Sequence, residues 1–146
     1  KTRRTCAVLK ALETPRLVII DCVSDARTRT AGRSADAPRL TPADWKAMMG
    51  RITELAKIAE GDYGVRSTLH AHAGCYIEYE DEVDAAMNDL PDDLVGLCVD
   101  TGHSAYAGTA PVALVNHTLH ENLDAAKMTK VLDDAAKAPA GHGKHH

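Results

Sequence analysis

The chain is expected to fold as an α/β domain around a parallel sheet. Three observations carry this. Runs at 16–23, 63–70 and 94–100 read as strands that close on polar residues, the first and third being largely apolar and β-branched, as strands covered on both faces are. Segments with apolar residues at helical spacing lie between them. The connections are short, and alternation of this kind builds βαβ units. At 146 residues the chain fits one domain. That domain is expected over 1–138, with a disordered, His-rich tail at 139–146.

Each element has a local reason. Residues 2–13 place Cys6, Leu9 and Leu12 on one helical face, and Pro15 ends the helix. Arg16 to Val23 is the first strand, and the Arg-, Ser-, Asp- and Gly-rich stretch 24–40 is a loop. The helix from Thr41 is the best marked: Thr41 as cap, Pro42 at the first position, Asp44 where a capping box puts an acid. Trp45, Met48, Met49, Ile52, Leu55, Ala56 and Ala59 form its apolar face, and Gly61 is expected to stop it. Tyr63–His70 is the second strand. Glu80–Leu90 is a short helix whose acidic first turn suits the helix dipole, and Leu94–Asp100 is the third strand. Residues 111–115 begin another helix that Asn116 and His117 cut short. A fourth strand is expected near 117–121, then a helix from Leu123 to about Ala138.

Composition excludes several classes of function. The formal charge of −4 argues against bulk electrostatic binding of nucleic acid. No apolar run approaches the roughly 18 residues of a membrane span, and Lys1–Arg16 does not read as a signal peptide. Cys6, Cys22, Cys75 and Cys98 are widely spaced with no CxxC pair, which suits free thiols in a reducing cytoplasm, with a disulfide framework or a cysteine zinc site as the alternative. With 24 alanines, one Trp and no Phe, the core must be built from small side chains.

In a parallel α/β sheet, ligands bind at the carboxyl ends of strands, so the polar residues closing each strand are the candidates. His70 and His72 are two apart and can face one ligand, with Gly74 turning the backbone away. Paired imidazoles suit a divalent metal; a hydrogen-bonded pair at a strand end is the plainer alternative. Asp100 closes the third strand, Gly102 permits a tight turn, and His103 points back over the same mouth. A carboxylate beside a histidine offers two ligands, or one ligand and a proton-transfer group; a turn cap is the alternative for Asp100. His117 and His120 are further ligand candidates, or a solvated loop. Within the acidic run Glu78, Glu80, Asp81 and Glu82, Glu78 lies nearest the mouth. The tail histidines His142, His145 and His146 are expected to be disordered.

Tyr63 to Glu78, including His70-Ala-His-Ala-Gly74, with Glu80-Asp-Glu82 and Val95 to Gly108, including Asp100-Thr-Gly-His103, resembles the sugar phosphate isomerase/epimerase family. This is the xylose-isomerase-like TIM barrel group, and the inosose-dehydratase-like branch is nearest. The resemblance covers roughly 3–115. It implies a parallel-sheet fragment of a (β/α)8 TIM barrel, about four strands alternating with helices, since a whole barrel takes about 250 residues. It also implies a divalent metal (Mn, Co, Mg or Zn) at the strand mouth. His70 falls at a ligand position that the dehydratase-like branch fills with histidine, Asp100 at the sixth-strand ligand, and His103 at a histidine that touches substrate. His117-Thr-Leu-His120 matches the seventh-strand ligand segment loosely.

The expected activity is metal-assisted proton abstraction beside a carbonyl of a small sugar or polyol, giving isomerisation, epimerisation or dehydration. His70 and Asp100, with His117 or His120, would hold the metal; His72 and His103 would move protons or position substrate, with Glu78 supporting them. The alternative is a non-catalytic, self-associating barrel fragment that binds metal opportunistically. Self-association as a homodimer or larger is expected because the barrel-facing side of the sheet, carrying Ile20, Leu69 and Leu97 or their neighbours, finds no cover in this chain.

Overall fold

A computed structural model describes residues 1–14, 16–108, 113–115, 118–120, 126–127, 129–130 and 133–134. The chain divides into two compact units, Lys1–Thr109 and Ala110–His146.

The first unit runs α1 (Thr2–Ala11), β1 (Arg16–Ile19), α2 (Asp25–Thr28), a 3-10 turn (Ser34–Asp36), α3 (Pro42–Tyr63), β2 (Arg66–His70), α4 (Glu80–Asp89), β3 (Val95–Cys98) and α5 (Thr101–Tyr106). The strands form a parallel sheet in the order β1-β2-β3. α1 ends at Ala11; Pro15, expected to stop it, lies outside the described residues.

α3 begins as expected. Thr41 Oγ1 accepts the Asp44 N–H at 3.2 Å, and its hydroxyl donates to Asp44 Oδ2 at 2.7 Å. Its end differs from expectation. The helix passes through Gly61 and stops at Gly64, whose φ of 66° is a left-handed cap that glycine adopts without strain. The Gly64 and Val65 N–H groups then reach back to the carbonyls of Glu60 and Ala59. Gly61 lies inside the helix without a positive φ, so it does not act as a cap. Trp45, on the same helix, donates its indole N–H to Asp89 Oδ2 at the end of α4, 2.8 Å away.

The core lies between the sheet and helices α3 and α4. Leu69 is fully buried at its centre among Ile19, Met48, Met49, Ile52, Ala56, Ile77, Ala86, Leu90 and Val95. The register pairs Ile19, Leu69 and Leu97, and also Val18, Thr68 and Gly96. Register partners in a parallel sheet share a face, so Leu69 and Leu97 belong to the helix-covered side. This corrects the expectation that they load the opposite face. That face carries Thr68, Gly96, His70 and Cys98, with Val18 53% and Ile20 44% exposed. Its apolar load is light because polar and small residues occupy the alternate positions of β2 and β3. The strands are thus covered on one face by the described residues, not on both.

In the second unit, β4 (Ala113–Val115) and β5 (Thr118–His120) pair antiparallel, Leu114 opposite Leu119. The helix expected to begin at 111–115 is therefore a strand over 113–115. The strand expected near 117–121 forms, but it pairs with its sequence neighbour, so the parallel sheet has three described strands and not four. Residues 126–127, 129–130 and 133–134 are helical, within the helix expected over 123–138. Leu123, Met128, Val131, Leu132, Ala135 and the tail at 139–146 lie outside the described residues.

Candidate metal centre

The carboxyl ends of β2 and β3 bring four side chains together. His70 is the last residue of β2 and pairs in register with Cys98 of β3. Two residues past β3, Asp100 caps α5: its Oδ1 accepts the His103 N–H at 2.9 Å, and its carbonyl accepts the Ser104 hydroxyl at 2.8 Å. The cap fixes His103 in the first turn, with its ring back over the mouth. The His72 and His103 rings lie 4.0 Å apart, His70 and His103 5.3 Å, and His70 and His72 5.8 Å, centroid to centroid.

One ligand atom from each of His70, Asp100 and His103 can be chosen so that all lie within 4.8 Å of one another. His70 Nδ1 is buried and has no hydrogen-bond partner. An unpaired buried nitrogen costs about 1–3 kcal/mol, a cost that a cation bound at that nitrogen would remove. The His103 N–H, then the charge of His103, hold the Asp100 carboxyl below the usual carboxylate range. The lowered carboxyl favours the anionic form, the form in which a carboxylate binds metal. Two imidazoles and a carboxylate suit zinc, manganese or cobalt.

His72 is set differently. Its Nδ1 lies 2.8 Å from the Ala73 carbonyl. A carbonyl only accepts, so Nδ1 carries the proton and Nε2 keeps the lone pair in the neutral ring. The Ala73 N–H reaches toward His103 Nδ1 at 3.5 Å, the outer limit of a hydrogen bond.

Glu78 is not among the three residues whose ligand atoms converge. It is buried, its Oε1 accepts the Gly32 N–H at 2.8 Å, and its Oε2 accepts the Gly74 N–H at 2.9 Å. Backbone donors occupy both oxygens, so the carboxylate braces the loop. Of the other candidates, His120 ends β5 in the second unit and His117 lies outside the described residues. The described ligand group comes from the first unit alone.

Sequence reasoning missed two residues that shape the site. Asp21 follows β1 as Asp100 follows β3, and the same strand-end argument singles it out. Its Oδ2 accepts the Tyr76 N–H at 2.6 Å, its carbonyl lies 3.1 Å from the Cys75 thiol, and its Oδ1 is buried without a partner. Burial pushes its carboxyl above the usual range, and pushes the Cys75 thiol up to about 12, which makes that sulfur a poor nucleophile. Arg27 gave no signal, being one of several arginines in a polar loop. It is fully buried, binds both oxygens of Glu82 at 2.9 and 2.8 Å, and donates to the carbonyls of Cys75 and Pro38 at 2.8 and 3.0 Å. Its guanidinium lies against Tyr76 and Tyr79, and Glu78 Oε2 is 3.7 Å away. Glu82 also pairs with Arg39.

No family model matches the chain. Curated relatives do. The rhizopine catabolism protein MocC of Rhizobium meliloti is 40% identical over 77 residues, 53% of this chain and 23% of that protein. The inosose dehydratase of Lactiplantibacillus plantarum is 32% identical over 112 residues, 76% of this chain and 37% of that protein. That of Clostridium beijerinckii is 36% identical over 73 residues, 50% of this chain and 24% of that protein. The chain thus spans well under two thirds of the length of the relatives it matches. A crystal structure of the IolI protein with a bound zinc atom superposes with a TM-score of 0.58 at 22% identity, covering 74% of this chain and 35% of that one. The resemblance to the inosose-dehydratase-like branch is borne out over part of the chain, and so is the α/β fold as a fragment of a TIM barrel.

Proposed function

We propose that the chain carries a divalent-metal centre for proton abstraction next to the carbonyl of a small sugar or polyol, with dehydration of an inosose-like substrate as the first reaction to test. The observation that carries this is that ligand atoms of His70, Asp100 and His103 can be chosen within 4.8 Å of one another, in a group whose His70 has a buried Nδ1 with no partner. The inosose dehydratases among its relatives support the substrate class.

A bound divalent ion supplies positive charge that polarises a substrate oxygen and acidifies the neighbouring C–H. The chain supplies the rest. His70 and Asp100 hold the ion, and His103 either completes the trio or directs a ring N–H at a substrate oxygen. His72 Nε2 takes the proton from the carbon beside the carbonyl, and the Ala73 carbonyl steadies the resulting imidazolium through Nδ1. The same proton can return to carbon, giving isomerisation or epimerisation. It can instead leave with a β-hydroxyl as water, giving dehydration. The four free cysteines support a reducing, cytoplasmic setting.

The test begins with protein stripped by chelator. Re-addition of Zn²⁺, Mn²⁺ or Co²⁺ should restore turnover of an inosose, or at least exchange of the hydrogen beside its carbonyl with deuterated solvent. Asp100→Asn and His72→Ala should each abolish that exchange, and His72→Ala should keep most of the metal affinity. Wild-type protein that binds none of these ions, or exchange that survives in Asp100→Asn, would overturn the proposal.

A second reading rests on Val18 and Ile20, both exposed beside the edge of the described sheet. It is a self-associating module, a homodimer or larger, that binds metal without turnover. Sedimentation showing a dimer, together with metal binding but no exchange, favours it.

A further inference from the structure

We propose that Arg27 is the positioning residue of this site, acting through the 71–79 segment to keep the His72 ring against His103. The inference rests on the reading that these histidines are the working groups. The segment leaves β2 at His70 and reverses through Gly74, whose φ is 81°. Its own backbone bonds are few: the His72 N–H donates to the Ile77 carbonyl, and the Cys75 N–H to the His72 carbonyl, both at 3.1 Å. Both lie within the segment; from outside it, the Ser24 N–H reaches the Gly74 carbonyl at 3.1 Å, and Asp21 Oδ2 accepts the Tyr76 N–H at 2.6 Å.

Arg27 supplies further ties from outside. Its Nε donates to the Cys75 carbonyl, three residues from His72, while its other nitrogens grip Glu82 at the start of α4 and the Pro38 carbonyl. Glu82 Oε2 in turn accepts the backbone N–H groups of Glu78 and Tyr79. Glu78, 3.7 Å from the same guanidinium, accepts the N–H of Gly74. One planar cation thus fixes both ends of the 75–79 stretch, directly at Cys75 and through two carboxylates at Gly74, Glu78 and Tyr79. A lysine has no fork of donors that reaches a carbonyl and two carboxylate oxygens together.

A purely stabilising arginine and a positioning arginine part on one readout. Long-range ¹H–¹⁵N spectra of the imidazole rings, recorded well below the melting temperature, report where His72 and His103 sit. Rings 4.0 Å apart and tilted by 46° shift each other's signals; separated rings do not. Arg27→Gln and Arg27→Lys are expected to melt earlier than wild type and, while still folded, to show both sets of signals collapsing toward free-histidine positions. Folded Arg27→Gln with wild-type ring signals would overturn the proposal. If Arg27→Gln does not fold, Glu78→Gln takes its place. It keeps the Arg27–Glu82 pair but withdraws one acceptor from Gly32 or Gly74, and should shift the same signals by a smaller amount. Unchanged signals there overturn the proposal too. Titration of wild type with Zn²⁺, followed on the same spectra, tests the metal reading separately. If zinc leaves the His70 and His103 signals in place, that reading fails while the Arg27 result stands.

Discussion

The mouth of the sheet and the clamp beside it are built from the same kinds of polar groups and treat them in opposite ways. In the clamp, the Arg27 guanidinium donates to four acceptor atoms, and both oxygens of Glu78 and of Glu82 have partners. At the mouth, His70 Nδ1 is buried with no partner, and His103 Nδ1 has a single contact at 3.5 Å. Buried polar groups are normally paired, and a few residues away this chain pairs them densely. Asp21 Oδ1 and Ser67 Oγ are also buried without partners, but of these three residues only His70 belongs, among the described residues, to a group whose ligand atoms lie within 4.8 Å of one another.

Variants should fall on one side of this contrast or the other. Glu82→Ala should do the largest damage to stability, about 3–5 kcal/mol, because it strands a buried guanidinium. Urea unfolding measures this, and zinc affinity of the folded protein should fall less than in Asp100→Asn. Asp100→Asn should instead weaken metal binding by at least about 10–100-fold, with little loss of stability. His120→Ala should weaken it less, and calorimetric titration giving equal losses for the two would remove Asp100 from the centre.

Gly74→Ala sits between the two regions. The added Cβ would lie 2.9 Å from Thr28 Oγ1 on a backbone at φ 81°. The expected cost is about 1–3 kcal/mol, read from thermal melts. Pairing it with Thr28→Ala should return the clash and leave only the conformational part.

The smallest effect is expected at Asp21, and its sign is stabilising. Burial raises this carboxyl, so the folded chain holds the proton more tightly than the unfolded one does. The stability it contributes is full below the ordinary aspartate range and is lost as pH rises through the raised value. Asp21→Asn should therefore be more stable than wild type by about 1 kcal/mol near pH 7. That advantage should shrink as pH falls through the raised value and vanish below the ordinary one. Asp100, whose carboxyl is lowered, has the opposite dependence: its contribution is lost only as pH falls through the lowered value.

What could be read from residues alone divides along the same line. His70, His72, Asp100 and His103 were legible because strand-end position and i, i+2 spacing are local properties, and the structure brings all four to one mouth. The start of α3 was legible for the same reason. The clamp was not, because it joins Arg27 to Glu82 across 55 residues, and nothing local separates Arg27 from Arg29 or Arg33. The partners of Glu78, the backbone N–H groups of Gly32 and Gly74, were not legible, because Gly32 lies 46 residues away. Residues 113–120 misled because a short Ala-Leu-Val run carries no period long enough to separate helix from strand.

One contact on the helical layer has a practical meaning. Trp45 is the single tryptophan, and its indole N–H ends on Asp89 across the α3–α4 seam. Its emission therefore reports one event, the docking of those two helices, with no second indole to blur the signal. Cobalt loaded at the strand mouth absorbs in the visible, far from indole emission. The same cuvette can therefore follow closure of the scaffold in one band and filling of the site in the other, and show which comes first.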